Sequence, residues 1–193
     1  MLSAYLGKFF DKIEDFFSLS ADDLFKVYYN EGLDFIASGK YNSAITSLKS
    51  ANKLKPKRAN VHYQLGVAYF HNAMFEEAFR SLNKALSLDP NNYSAHHYLG
   101  KIFEKEESYE KAMEAYNAAI KIAPDAEIYY RISLIQDKNG AHEAAITSLT
   151  EAIKLDPQVS KYYYRLGLVY DSNNQHDKAV EVFKKAVEYE ESE

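Results

Sequence analysis

The sequence predicts an all-α protein, a solenoid of five helix-turn-helix repeats in a right-handed superhelix. Two observations lead to this fold class. The only four prolines in 193 residues follow one another at intervals of 34, 34 and 33 residues: Pro56, Pro90, Pro124 and Pro157. In each interval, apolar residues recur three and four apart in two stretches, which is the spacing of one buried face on each of two helices. Because a single helix pair cannot bury these faces alone, neighbouring pairs have to stack.

Small residues follow the same period. Glycine stands 24 residues before a proline, or before the place of the next one, at Gly32, Gly66, Gly100 and Gly167. We expect these glycines to let the two helices of a unit approach closely, and each proline to end a second helix. The predicted units are 25–58, 59–92, 93–125, 126–159 and 160–193. The fourth unit carries Ser133 in place of glycine and Gln136 in place of an aromatic residue, so we expect looser packing or a bend there.

On these glycine and proline positions, residues 25–193 resemble the tetratricopeptide repeat (TPR) family. The resemblance implies a non-catalytic protein that binds proteins or peptides in a concave groove lined by the first helix of each unit. The groove positions of the family correspond here to Tyr29, Tyr63, His97, Tyr130 and Tyr164. A neighbouring column corresponds to core-packing positions of the family: Tyr28, His62, His96, Tyr129 and Tyr163.

Some TPR domains hold a carboxyl terminus with lysine, asparagine and arginine side chains from three successive units. The corresponding residues here are His97, Lys101, Arg131, Lys161 and Arg165, of which only the last two match the pattern. The resemblance therefore implies a cationic stretch of groove that prefers acidic segments, rather than a specific carboxylate clamp. The alternative is that these cations pair within the chain, for instance with Asp137 or Asp171.

Residues 1–24 precede the repeats, and their apolar side chains recur at helical spacing. The pattern predicts an amphipathic helix over residues 2–18 whose apolar face consists of Leu2, Leu6, Phe9, Phe10, Ile13, Phe16 and Phe17. Ser20, followed by Asp22 and Asp23, is expected to cap the first repeat helix. The predicted helix either covers the open end of the first repeat or docks onto a partner. A protein partner is favoured over a lipid surface because the polar face carries more acids than lysines.

The two ends of the array together suggest self-assembly. The last unit is expected to lack the extra helix that shields the end of such arrays. An apolar helix at one end and an unshielded surface at the other predict a head-to-tail contact through residues 2–18, which does not close into a dimer.

Positive charge collects in the first repeat although the formal net charge of the chain is −5. The basic surface consists of Lys49, Lys53, Lys55, Lys57 and Arg58. It is either a solvated outer face or a contact for an acidic surface, such as lipid head groups or the acidic tail of another copy. The net negative charge disfavours a nucleic-acid partner.

Several classes of protein are not expected. There is no cysteine, which excludes disulfides, thiol catalysis and thiolate metal sites. The sequence has no glycine-rich phosphate loop, no recognisable Ser-His-Asp arrangement and no histidine pair at metal-binding helical spacing. No stretch approaches the roughly 20 apolar residues of a membrane span. We therefore expect a cytoplasmic protein that is not an enzyme and has no cofactor, metal or small-molecule substrate.

Two segments resemble a narrower family, the magnetosome-associated TPR proteins of magnetotactic bacteria. They are residues 22–29, leading to Gly39-Lys40-Tyr41, and residues 163–172, followed by residues 176–181. The resemblance implies a scaffold that self-assembles and lies peripherally on the magnetosome membrane, where it organises other proteins, including a membrane-bound partner. The alternative function is a monomeric adaptor that binds acidic peptide segments or carboxyl termini.

Overall fold

The computed structural model describes residues 20–190, and every regular element in that range is an α-helix. In chain order the helices are Ala21–Ala37 (α1), Tyr41–Leu54 (α2), Ala59–His71 (α3), Phe75–Leu88 (α4), Tyr93–Lys105 (α5), Tyr109–Ile122 (α6), Ala126–Lys138 (α7), His142–Leu155 (α8), Ser160–Ser172 (α9) and His176–Glu190 (α10). Successive helices pack as pairs, α1 with α2 through α9 with α10. The all-α class and the helix pairs predicted from the sequence are confirmed. The predicted helix over residues 2–18 lies outside the described residues.

Helix ends occur where the sequence places its stop and start signals. The second helix of each of the first four pairs ends two residues before a proline, as α4 does at Leu88 before Pro90. At the start of α1, the Ser20 hydroxyl accepts a hydrogen bond from the Asp23 amide at 3.2 Å. This bond satisfies one of the free amide groups of the first turn. The predicted cap at Ser20 is confirmed.

The glycines lie where the two helices of a pair cross most closely. A Cβ atom on Gly66 would come within 2.6 Å of Leu82, and one on Gly167 within 2.5 Å of Phe183. Real Cβ contacts do not occur below 3.0 Å. A larger residue would therefore push the second helix away from the first.

Within the fourth pair, α7 and α8, the two departures from the repeat pattern do not loosen the packing. Ser133 is completely buried, and its hydroxyl donates to the Tyr130 carbonyl at 2.6 Å. Gln136 accepts a hydrogen bond from the Ser148 hydroxyl at 2.7 Å. Because both polar side chains find partners within the pair, the apolar residues around them stay buried, and Ile132 is only 3% exposed.

The chain divides into two compact units, one ending at Pro90 and one beginning at Asn91. The first unit contains α1–α4. Its core includes Leu48 of α2 together with Val61 and Leu65 of α3.

The second unit contains α5–α10, and its core forms two clusters. One joins α6 to α7 and includes Tyr116 and Ile132; the other joins α8 to α9 and includes Leu149 and Leu166. In both clusters, the second helix of one pair is covered by the first helix of the next pair.

Candidate functional site

The first helices of the three pairs in the second unit lie side by side and are joined by ion pairs. Arg131 of α7 contacts Glu104 of α5 at 3.1 Å and Glu127 of its own helix at 3.0 Å. Lys161 of α9 contacts Glu127 at 2.7 Å. Arg165 of α9 donates from Nη2 to Asp137 of α7 at 2.6 Å. We call this surface of α5, α7 and α9 the groove face.

These ion pairs change what the groove face can attract. Arg131, Lys161 and Arg165 are three of the cations expected to attract acidic segments, and each already contacts a carboxylate. The pair of Arg165 with Asp137 is the most shielded, with side chains 26% and 16% exposed, so solvent screens it less than an ordinary surface pair. Of the two expected acidic partners, Asp137 pairs as suggested. Asp171 instead contacts His176 at 2.7 Å.

A buried tyrosine fixes the position of Glu104. The Tyr116 hydroxyl donates to Glu104 Oε2 at 2.7 Å, and the Tyr116 side chain is fully buried. Burial and the neighbouring carboxylate raise the pKa of the Tyr116 phenol, which therefore stays a hydrogen-bond donor. Glu104 accordingly receives hydrogen bonds from both Tyr116 and Arg131 and is held between them.

His97 and Lys101 occupy the α5 edge of the groove face. Burial, together with the charge of Lys101, lowers the pKa of His97 to about 4, so its imidazole is neutral near pH 7. His97 Nε2 is buried and has no hydrogen-bond partner among the described residues. Burial and the nearby Arg131 also lower the pKa of Lys101. The α5 edge therefore offers a neutral imidazole beside the Lys101 side chain.

The predicted aromatic column is divided between the two units. Tyr29 and Tyr63 lie half-buried on α1 and α3 of the first unit. Burial raises the pKa of Tyr29, while hydrogen bonds with Asn60 and Gln64 act in the opposite direction.

In the second unit, the column continues on α7 and α9. The ring centroid of Tyr130 lies 5.4 Å from that of Tyr162, and the Lys161 ammonium lies 5.2 Å from each ring centroid. Tyr164, the last member of the column, is exposed, and its ring centroid lies 5.6 Å from that of Phe183.

Two members of the neighbouring column tie their first helix to the preceding turn. Tyr163 donates its hydroxyl to the Pro157 carbonyl at 2.9 Å, and His62 Nε2 lies 2.9 Å from the Pro56 carbonyl oxygen. Both bonds run to the proline that follows the preceding second helix. These contacts give Tyr163 and His62 a packing role.

A cavity of about 800 Å³ lies on the last pair. It is bounded by Val159, which precedes α9, by Tyr164 of α9 and by Phe183, Ala186 and Val187 of α10. Sequence reasoning expected an unshielded end of the array, and of these residues it placed only Tyr164 in the binding groove. The 34-residue period could have found Phe183 and Val187, because they repeat the core positions of Leu149 and Ile153.

One of the five residues of the basic surface, Lys55, pairs within the first unit. Lys55 pairs with Asp22 at 2.8 Å, and its hydrogen bond lowers the pKa of that carboxyl group. The Lys49 ammonium lies 5.7 Å from the Tyr69 ring centroid. The remaining members, Lys53, Lys57 and Arg58, are exposed.

Two further observations concern metals and membranes. Within residues 20–190, no group of three histidine, aspartate or glutamate side chains could hold a metal ion. In the same range, no helix is both long and apolar enough to cross a bilayer.

Comparison with known sequences identifies the family. Tetratricopeptide repeat profiles match residues 59–92, 93–126, 126–159 and 160–193, and a further TPR repeat profile matches residues 32–72. The chain belongs to the tetratricopeptide repeat family. Its fold is an all-α TPR solenoid, the architecture of protein-interaction modules. No curated protein sequence matches the chain significantly.

Solved structures extend the comparison. MamA from Desulfovibrio magneticus RS-1 is 29% identical, with 89% of this chain and 97% of that chain covered and a TM-score of 0.80. Another MamA crystal structure is 30% identical, with 83% and 95% covered and a TM-score of 0.77. YrrB, described as a TPR protein with an unusual peptide-binding site, is 22% identical over 84% of each chain, with a TM-score of 0.70. The chain is thus a TPR protein that resembles MamA, while the likeness to YrrB shows the fold alone.

Proposed function

We propose that the chain is a non-catalytic scaffold that assembles with itself through residues 2–18 and binds partner proteins on its groove face. The observation that carries the proposal is the 29–30% identity to MamA over 83–89% of the chain. As the resemblance in residues 22–29 and 163–172 implies, the scaffold works in the cytoplasm. There it lies peripherally on the magnetosome membrane and is held by a membrane-bound partner.

Self-assembly is supported by the sequence of the N-terminal segment. Seven apolar residues, from Leu2 to Phe17, recur there at helical spacing. A helix with such a stripe has to bury it against another surface. In the full-length chain, Ile13→Asp places a charge in the stripe and is expected to disperse the assemblies, whereas Asp15→Asn on the polar face is the matched control. Sedimentation velocity measures the outcome, and equal assembly of both variants would contradict the proposal.

The groove face is suited to a polypeptide partner. It combines half-buried aromatic groups, such as Tyr130, with ion pairs that nearly cancel one another's charge. Tyrosine offers large, rigid contact area at low entropic cost, which is typical of residues that dominate protein interfaces. Peptide binding by YrrB, as its description states, shows that a TPR array of this fold can hold a peptide. We expect side-chain shape, more than charge, to select the partner.

The second candidate is the monomeric adaptor for acidic segments. Three cations of α7 and α9, Arg131, Lys161 and Arg165, favour it because they lie together on the groove face. Reversal of Arg131 and Arg165 to glutamate abolishes capture of an acidic peptide if the adaptor function is correct, and leaves assembly intact if the scaffold function is correct. Arg80→Glu, an exposed reversal on α4, is the control. Loss of assembly in the double reversal alone would mean that groove and assembly surface coincide.

A further inference from the structure

The last helix pair exposes apolar side chains that earlier pairs cover. Tyr164, Val180 and Val187 are 55%, 54% and 54% exposed. Together with Phe183 they form what we call the end face. The equivalent residues one repeat earlier belong to the cluster buried between α8 and α9: Tyr130, Ile146, Leu149 and Ile153. Inside the second unit, therefore, this same face is covered by the next first helix.

The two internal interfaces show what a covering helix needs. On α7, Ile128, Ile132 and Ile135 pack against α6. On α9, Leu166 and Val169 pack against α8, and the Tyr162 ring packs on Tyr130. In each helix, the three packing residues stand at the first, fifth and eighth positions of an eight-residue stretch. This stretch begins at Ile128 in α7 and at Tyr162 in α9. A helix that covers the end face needs apolar side chains at this spacing.

Residues 9–17 have this spacing. Phe9, Ile13 and Phe16 stand at the first, fifth and eighth positions, and Phe10 and Phe17 match the places of Tyr163 and Tyr170. One position differs in kind, because Glu14 occupies the place of Gly167.

The glycine position is where a first helix meets its own second helix, since a Cβ on Gly167 would come within 2.5 Å of Phe183. A glutamate at that position fits only a helix whose far side faces water. Residues 9–17 therefore have the pattern of a covering helix without a second helix of its own, which is how a capping helix is built.

The chain's own first repeat does not offer a matching surface. The residues of α1 that correspond to Tyr162, Leu166 and Val169 of α9 are Val27, Glu31 and Asp34, and all three are exposed. Glu31 accepts a hydrogen bond from the Ser47 hydroxyl at 2.8 Å. An apolar helix laid over these carboxylates would remove them from water without giving them partners, which is costly. This observation disfavours the alternative in which residues 2–18 cap the first repeat.

The geometry points to a head-to-tail contact in which residues 9–17 of one copy cover the end face of a second copy. This inference rests on the proposed self-assembly and names its acceptor surface. Because the two surfaces are different, each copy offers one of each, and the contact propagates instead of closing into a dimer.

The ion pairs of the groove face fix the register of this contact. The residue just before Ile132 is Arg131, which pairs with Glu104 of the preceding first helix. In the same way Arg165, just before Leu166, pairs with Asp137. The residue before Ile13 is Lys12, and the acid that repeats Asp137 one period later is Asp171. Lys12 of one copy therefore lies near Asp171 of the next.

A crosslinking experiment tests this register directly, because the chain has no cysteine of its own. Full-length Lys12→Cys chains are mixed with full-length Asp171→Cys chains and treated with a short thiol-reactive bismaleimide. We expect a covalent dimer that contains one chain of each kind. A chain carrying both Lys12→Cys and Asp34→Cys tests the cap on the first repeat. An internal crosslink there, with none between the mixed chains, would overturn the inference.

A substitution on the end face gives an independent measurement. Val187→Glu places a charge in the contact, and we expect it to weaken assembly at least about tenfold. Leu155→Glu is the control, because Leu155 is comparably exposed at 46% but lies outside the end face. Circular dichroism confirms that both variants fold.

The failures of the two proposals are distinguishable. If Val187→Glu assembles like the unaltered chain while Ile13→Asp does not, the acceptor surface lies elsewhere. That result contradicts the end face as the acceptor but leaves self-assembly through residues 2–18 intact. If the unaltered chain is monomeric, the proposed self-assembly is contradicted as well.

Discussion

Gly100→Ala tests how closely the two helices of a pair approach. A Cβ atom at this position would lie well inside 3.0 Å of the Tyr116 ring carbons. The ring cannot simply turn away, because it is fully buried and its hydroxyl donates to Glu104 at 2.7 Å. The added methyl group therefore pushes α6 away from α5 and breaks the hydrogen bond to Glu104.

The expected cost follows from these two consequences. Overpacking of a dense core costs about 1–3 kcal/mol. Loss of a hydrogen bond to a charged group costs about 1.5–3 kcal/mol. The higher helix propensity of alanine offsets about 1 kcal/mol of this loss of stability. We therefore expect Gly100→Ala to lower the free energy of unfolding by roughly 1.5–5 kcal/mol.

Urea unfolding followed by circular dichroism measures this loss, with Gly39→Ala as the control. Gly39 has no atom within 4 Å of its added Cβ, but its φ of +71° is unfavourable for alanine. The control should therefore lose only about 1–2 kcal/mol, from backbone strain alone. If Gly100→Ala lost no more than Gly39→Ala, the close packing of α5 against α6 would be refuted.

Three further predictions concern the second unit. The folded pKa of His97, about 4, lies below the ordinary 6.5, so the unfolded chain binds the proton first as the pH falls. Stability is therefore complete above pH 6.5 and falls by about 1–3 kcal/mol towards pH 4. His97→Asn should flatten that part of the pH profile, and an unchanged profile would contradict the assignment. Tyr163→Phe removes the bond to Pro157 and should cost about 0.5–1.5 kcal/mol in urea unfolding; no loss would show that the bond contributes nothing. Asp137→Asn releases Arg165 and should strengthen binding of an acidic peptide about threefold in calorimetry, whereas unchanged affinity would mean that Arg165 does not reach the ligand.

The helix pairs could be predicted because their signals are periodic and local. Each proline lies two residues beyond the end of a second helix, and the four repeated glycines, Gly32, Gly66, Gly100 and Gly167, lie at helix crossings. Packing at such positions depends on residue size and backbone chemistry, both of which are visible in the sequence. Ser133 shows the limit of this reasoning. Its replacement of the repeat glycine suggested looser packing or a bend, but a serine hydroxyl can bond a carbonyl of its own helix, as Ser133 does to Tyr130.

The charge state of the groove face was harder to predict. The arginines at 131 and 165 are one period apart, and so are their acidic partners at 104 and 137. This double period is a sequence signal for pairing between repeats. The signal did not decide whether these arginines pair within the chain or bind an acidic ligand, because long side chains can turn towards a neighbouring helix or towards a ligand. The choice depends on the separation of adjacent first helices, which only the folded structure provides.

The low pKa of His97 was also beyond sequence reasoning. It results from burial among Tyr93, Tyr98 and Tyr116 and from the nearby charge of Lys101. The sequence placed His97 in the groove column without indicating how much of its ring is buried.

The measurement that tests the central claim most directly is the mass distribution from size exclusion with light scattering. The full-length chain is compared with one that starts at Ser20, at the same series of concentrations. A scaffold gives large species whose mass rises with concentration for the full chain and a monomer of constant mass for the shortened one. A monomer in both would contradict self-assembly through residues 2–18 and would favour the adaptor function.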